Sequence, residues 1–204
     1  MEGDQHAAPT GKLDVRNNEA IVADESAWRN ALLDGFQDLV SEVHSKSTLH
    51  ASRDHGDHHW RLVACTGAVL LEESGAGDPM VLLLFGLFHD SQRVNEFDDP
   101  EHGKRGGILA HRLLADRAVP IDVLKWIDEA CTLHTEAAPS NDVVLGTCWD
   151  ADRLNLWRVG IEPHPRYLST AAARDPARIA WARGFQREQP SWSEIVQWYR
   201  RLVS

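Results

Sequence analysis

The chain has 204 residues, 43% hydrophobic and 25% charged, enough for one domain with a sizeable core. Its formal net charge of −10 argues against nonspecific nucleic-acid binding, which needs basic surface to displace counterions. No apolar run reaches the roughly 18 residues a membrane span requires. Cys65, Cys131 and Cys148 are widely spaced, and the N-terminus has neither a basic nor an apolar leader, so the expected setting is a reducing cytoplasm.

Residues 1–24 are polar and aperiodic, with Pro9 and Gly11, and read as a flexible tail. A helical domain is expected over 25–160. Trp28, Leu32, Leu39 and Val43 recur at helical spacing. A His-rich connection through His50, His55 and Gly56 leads to a second helix, His59 to Glu72, which the breaker Ser74–Pro79 closes. The run Met80–Phe88 is apolar on every side and reads as a buried helix ending at His89-Asp90. An irregular acidic stretch follows, then a helix over Lys104–Ala118 with Ile108, Leu109, Leu113 and Leu114 on its apolar side. Pro120 opens the next helix, Ile121–His134. Leu124, Ile127, Cys131 and His134 fall on one stripe of it, so His134 points where the core residues point. Such a histidine is ordinarily a satisfied core residue.

Val143–Val159 reads as one helix closed by Gly160. Leu145, Trp149, Asp152 and Leu156 share a face, while Asp150 lies about 200° away at roughly 100° per residue. A carboxylate on a buried stripe needs a cap, an ion pair or a metal. Residues 161–204 form a helical extension packed on the same core. Its last helix starts at Ser191 with Glu194 three on, a capping-box signature. No segment alternates with period two, and the expected fold class is all-α, a helical bundle around one core.

His59-Trp-Arg-Leu-Val-Ala64, His89-Asp90 and Ala151-Asp-Arg-Leu154 resemble, in order, the three motifs of the HD superfamily of metal-dependent phosphohydrolases. The resemblance covers about residues 50–160, and its longer strings are similar to those of bacterial HD-domain proteins without an assigned substrate. It implies an HD-like bundle in which His59, His89, Asp90 and Asp152 ligate a divalent metal. His102 and His134 stand where two-metal members insert two more histidines. His134 lies 18 residues before Asp152, similar to HD hydrolases that cleave dinucleoside polyphosphates. Two roles are open for this pair, ligands of a second ion bridged by Asp90 or phosphate contacts beside a single ion.

His55 and His58 rival His59 as the first ligand. His111 reads as packing or solvent-facing. Arg93, Lys104, Arg105 and Arg153 are candidate phosphate contacts, because a guanidinium fork donates two parallel hydrogen bonds. Arg93, three residues past Asp90, belongs by the mouth of the site and joins His89 and Asp90 in the expected catalytic set. Glu96, Asp98, Asp99 and Glu101 could supply a base, or form a solvated acidic loop.

Imidazole and carboxylate without thiolate suit Mn, Fe, Co, Ni or Zn with open positions, with Fe or Mn favoured if two ions bind. Such an ion supplies hydroxide near neutral pH. The expected function is therefore hydrolysis of a nucleotide or another small phosphate ester. A di-iron oxygenase of the HD type and a non-catalytic metal-binding module are the other two readings. Ser91-Gln-Arg-Val94 stands where ppGpp-cleaving members have a Glu-Asp pair, which argues against that alarmone as substrate.

Overall fold

A computed structural model describes residues 26–204, and the tail expected over 1–24 lies outside them. The described residues form helices and turns with no strand. In chain order the helices are α1 (26–34), α2 (Phe36–Lys46), α3 (Asp57–Ser74), α4 (Pro79–Phe88), α5 (His102–Leu114), α6 (Ile121–Leu133), α7 (Val143–Arg153), α8 (Ala171–Arg174), α9 (Pro176–Phe185) and α10 (Trp192–Leu202). None is long and apolar enough to cross a membrane.

α4 is the axle of the bundle. Every residue from Met80 to Phe88 is buried, and α2, α3, α5, α6, α7 and α10 all pack on it. Its start is set locally: Asp78 accepts hydrogen bonds from the Met80 and Val81 amides at 2.8 and 3.0 Å, and Pro79 takes the first helical position. A sleeve of six neighbours explains why a run this apolar has no polar face. His89 and Asp90 follow as the helix ends, still in helical conformation at His89 and still inside the sleeve.

α5 departs from expectation. It starts at His102, two residues earlier than the hydrophobic pattern indicates, and ends at Leu114, four residues earlier. Ile108, expected on the apolar side, is 50% exposed. Leu109, Leu113 and Leu114 are buried as expected, and Gly103, Gly106, Gly107 and Ala110 extend that face toward the start of the helix. Glycines let helix backbones approach closely but add nothing to hydrophobic periodicity, so the pattern missed the start and the glycine part of the face.

The run 143–159 is not one α-helix either. α7 ends at Arg153, and Leu154–Val159 continues as a 3-10 helix closed by Gly160 at φ 77°. Residues Leu145–Asp152 are all buried, so α7 is enclosed on every side rather than striped.

The C-terminal extension belongs to the core. The Ser191–Glu194 capping box forms, Trp192, Ile195 and Tyr199 are buried, and the Tyr199 hydroxyl donates to the Ala64 carbonyl at 2.8 Å. Tyr199→Phe removes only that bond and is expected to cost about 1 kcal/mol, a fall of roughly 3 °C in Tm for a chain of this size. An unchanged melting curve would mean that α10 is not part of the cooperative unit.

Candidate metal centre

Six side chains from five helices converge at the end of α4. His59 comes from the first turn of α3, His89 and Asp90 follow α4, His102 opens α5, His134 follows α6, and Asp152 lies in the last turn of α7. All six are buried. They form two overlapping groups able to hold an ion, His59-His89-Asp90 and Asp90-His102-His134.

Asp90 stands between two pairs of imidazoles. The Nε2 atoms of His59 and His89 are 3.1 Å apart, and those of His102 and His134 are 3.0 Å apart. Oδ1 of Asp90 lies 3.0 Å from His102 Nε2 and 3.6 Å from His134 Nε2. Oδ2 lies 3.6 and 3.8 Å from His59 and His89 Nε2. Asp152 Oδ1 completes the first group at 3.2 Å from His59 Nε2 and 3.8 Å from His89 Nε2.

The backbone fixes which ring nitrogens carry protons. His89 Nδ1 meets the Phe85 and Gly86 carbonyls at 3.1 Å, His134 Nδ1 meets the Cys131 carbonyl at 2.7 Å, and His102 Nδ1 meets the Asp99 carbonyl. A carbonyl only accepts, so these Nδ1 atoms are the donors and each neutral ring turns the lone pair of Nε2 inward. His102 Nε2, His134 Nε2 and Asp90 Oδ1 are then three acceptors in mutual contact, a repulsive arrangement unless a proton or a metal cation lies among them. His59 Nδ1 and Asp152 Oδ1 are also buried without a hydrogen-bond partner. Nitrogen and oxygen donors without thiolate suit a mid-row divalent metal. The residues thus fit a metal ion, and by chemistry more than one kind.

The electrostatics agree. Burial holds His59 down to about 3, assisted by the Arg158 guanidinium, and burial holds His89 down to about 4, so both rings are neutral at pH 7, the form that can bind a metal. Burial also drives the Asp90 carboxyl upward, but the surrounding His89, His102, His134 and His55 rings outweigh it and leave the group well below the ordinary range. Asp152 is likewise lowered, by His59 and Arg158 against burial. His134 is raised: burial lowers it, but the Asp90 and Asp152 carboxylates outweigh burial by favouring the charged ring, and in the metal-free chain that ring supplies the proton which relieves the contact between Nε2 and Asp90.

A pH dependence of the metal-free chain follows. His59 and His89 stay neutral when folded but bind protons near pH 6.5 when unfolded, so acid favours the unfolded state. Each depressed ring shifts the folding equilibrium by up to roughly tenfold per pH unit between about 6.5 and 4. His134 has the opposite sign: its contribution is full below pH 6.5 and is lost as pH rises through its folded value. The two aspartates contribute above their ordinary value of 3.8 and lose that contribution only below it. Between pH 6.5 and 4.5 the His134 contribution is already full and only the two depressed rings titrate, so Tm in excess chelator is expected to fall across that range. A flat Tm profile across that range would contradict neutral burial of the pair.

Of two groups beside the centre, Arg158 is not evident from sequence, and His55 takes another role than the ligand the sequence suggests. Arg158, in the 3-10 segment, donates from Nε to the Asp54 carbonyl at 2.6 Å and from Nη1 to the Asn155 carbonyl at 3.1 Å. Its guanidinium also lies 3.6 Å from Asp152 and 3.9 Å from Asp90. His55 Nδ1 lies 3.1 Å from Asp90 Oδ2 and orients that carboxylate. It therefore acts beside His59 rather than in its place, while His58 turns away to the Glu188 carbonyl at 2.8 Å.

Comparison with family models, curated proteins and solved structures finds no match.

The other candidates separate clearly. Arg93 is nine-tenths buried, its Nε is 3.8 Å from Asp90 Oδ1, and its Nε and Nη1 have no hydrogen-bond partner. Arg153, a candidate phosphate contact, is committed elsewhere: Nη1 and Nη2 donate to the Tyr167 and Ala137 carbonyls at 2.8 and 2.6 Å. Arg105 grips Asp99 at 2.6 Å and the Gln92 carbonyl, and Lys104 pairs with Glu101 on the surface. Glu96 accepts from the Ser52 hydroxyl, and Asp98 is exposed. None of the four acidic-loop residues lines the chamber in front of the centre, so of the two roles open to that loop the carboxylate base is not positioned to act. Asp150 is as buried as Asp152 but faces the other way, accepting from the Ser169 and Thr170 amides and the Thr170 hydroxyl. It anchors α8, and burial keeps its carboxyl above the ordinary value despite those bonds.

Proposed function

We propose that the chain is a metal-dependent phosphohydrolase of the HD type, acting on a small phosphate ester. In this reading His59, His89 and Asp152 hold one divalent ion, His102 and His134 hold a second, and Asp90 is shared. The observation that supports it furthest is donor orientation: three Nδ1 atoms are committed to backbone carbonyls, so the Nε2 lone pairs face inward around a single carboxylate. A divalent ion there supplies positive charge for phosphoryl oxygens and lowers the pKa of a coordinated water toward about 7.

The chain's own residues do the remaining work. Arg93 lines the chamber beside Asp90, where its guanidinium charge attracts a phosphoryl oxygen. Arg158 is pinned by two backbone carbonyls, so its charge helps hold the Asp152 carboxylate ionised and contributes to the anion-attracting end of the chamber. His55 keeps the Asp90 carboxylate turned so that each oxygen addresses one imidazole pair. The low exposure of these groups limits bulk water around them and strengthens their charges.

The test is inorganic phosphate release from a panel of phosphomonoesters and nucleotides by chelated protein reloaded with Mn, Fe, Co, Ni or Zn. The expected result is turnover that requires metal, stops with chelator and persists under strict anoxia. Substrate-linked oxygen uptake with iron and no phosphate release would replace the hydrolase by the di-iron oxygenase. Metal bound without turnover of any kind would leave a non-catalytic binding module.

A further inference from the structure

The chamber in front of the metal centre has a volume of about 760 Å³, within the range of small-molecule sites. Its two ends differ chemically. The inner end carries Asp90, Arg93, Asp152 and Arg158. The outer end is walled by Leu156, Val159, Ile161, Pro163, Tyr167 and Leu168. Val159, Ile161 and Tyr167 are 40%, 53% and 51% exposed. A folded chain ordinarily leaves such side chains wet only singly, and here three cluster at one mouth.

The polar groups of the outer end do not suit a nucleotide. Tyr167 is the one benzenoid ring among the described lining residues, and the Arg166 guanidinium already covers one of its faces at 4.4 Å. Arg153 is committed to two backbone carbonyls. Arg166, the remaining cation of this lining, is held against Tyr167, and Glu136 and Glu162 beside it oppose any phosphate beyond the first. A base slot needs a stacking face and buried hydrogen-bond partners, and a polyphosphate needs cations.

Building on the hydrolase reading, we infer that the substrate is a phosphate monoester of an apolar alcohol, its dianionic head at the metal centre and Arg93, its hydrocarbon body along Leu156, Val159 and Ile161. Hydrolysis breaks the ester bond with water, releasing inorganic phosphate and the alcohol, and needs no other co-reactant.

Two homologous series test this. n-Alkyl phosphonates from methyl to hexyl carry the same head but no cleavable ester, and their binding is followed by calorimetry with protein as purified and after Mn loading. n-Alkyl phosphates of the same lengths and AMP are compared for phosphate release. The expected result is affinity rising by up to about fourfold per methylene, kcat/KM rising in parallel, and hexyl phosphate preferred over AMP by at least tenfold. In the Val159→Asp, Ile161→Asp double variant, whose changes lie on exposed positions, the slope is expected to fall below twofold per methylene. A flat wild-type series, a slope unchanged in the variant, or a preference for AMP overturns the inference while leaving the hydrolase intact. A steep phosphonate series without turnover of any ester upholds the apolar chamber and overturns the hydrolase instead.

Discussion

Asp90→Asn is expected to reduce bound metal from about two equivalents to at most one, and to lower phosphate release by roughly a thousandfold or more. The substitution keeps the size and shape of the side chain, so the helical signal should persist. What changes is the donor set. Each Asp90 oxygen faces a different imidazole pair, Oδ1 toward His102 and His134 and Oδ2 toward His59 and His89. An amide offers one acceptor oxygen and turns an N–H₂ donor toward the other pair, whose inward lone pairs then accept a hydrogen bond. One pair is therefore satisfied without an ion, and the negative charge shared by both groups is lost. Elemental analysis beside steady-state kinetics checks both halves. Retention of two equivalents would show that Asp90 is not the shared ligand.

Gly106→Ala is expected to cost about 3 kcal/mol, lowering Tm by roughly 6–12 °C, and to remove the capacity for a second ion while leaving one. A β-carbon at Gly106 would run into the Phe88 carbonyl oxygen and come within 3.4 Å of the His89 carbonyl oxygen, and one at Gly103 would run into the Cys131 carbonyl oxygen. These neighbours are backbone, which cannot rotate away. α5 must shift outward, carrying His102 away from His134 while His59, His89 and Asp152 stay in place. Gly184→Ala, on an exposed stretch of α9 with nothing within 4 Å of the added carbon, is the control and should be neutral or slightly stabilising. Two equivalents bound in Gly106→Ala would mean that close approach of α5 is not what positions His102.

The all-helical class was legible because α4 is uniformly apolar and its flanking helices end in recognisable breakers and caps. His59, His89, Asp90 and Asp152 could be nominated because their motifs run in order and helical phase put Asp152 inward. That phase argument was weaker than it looked, since Asp150 is equally buried. What separates the two aspartates is the partner each faces, His59 against the Ser169–Thr170 turn, which no periodicity encodes. Arg158 escaped notice through a change of pitch. On a continuous α-helix it would lie about 240° around from Asp152, but the 3-10 geometry from Leu154 brings it back to within roughly 40° of that face. His55 sits in a turn, where no period applies. The start of α5 was obscured because its packing face is built from glycines.

The five helices that supply the donors follow one another along the chain from residue 59 to residue 152. Ions held in the two overlapping groups would crosslink segments far apart in sequence without a covalent bond. Ligand held by the folded state alone adds stability as its concentration exceeds the dissociation constant, by about 4 kcal/mol at a thousandfold excess. Metal supply would then set how long the polypeptide survives as well as how fast it turns over. A cell starved of the ion would lose the protein to proteolysis, because the unloaded bundle opens more often, and would regain it on repletion without new regulation of synthesis.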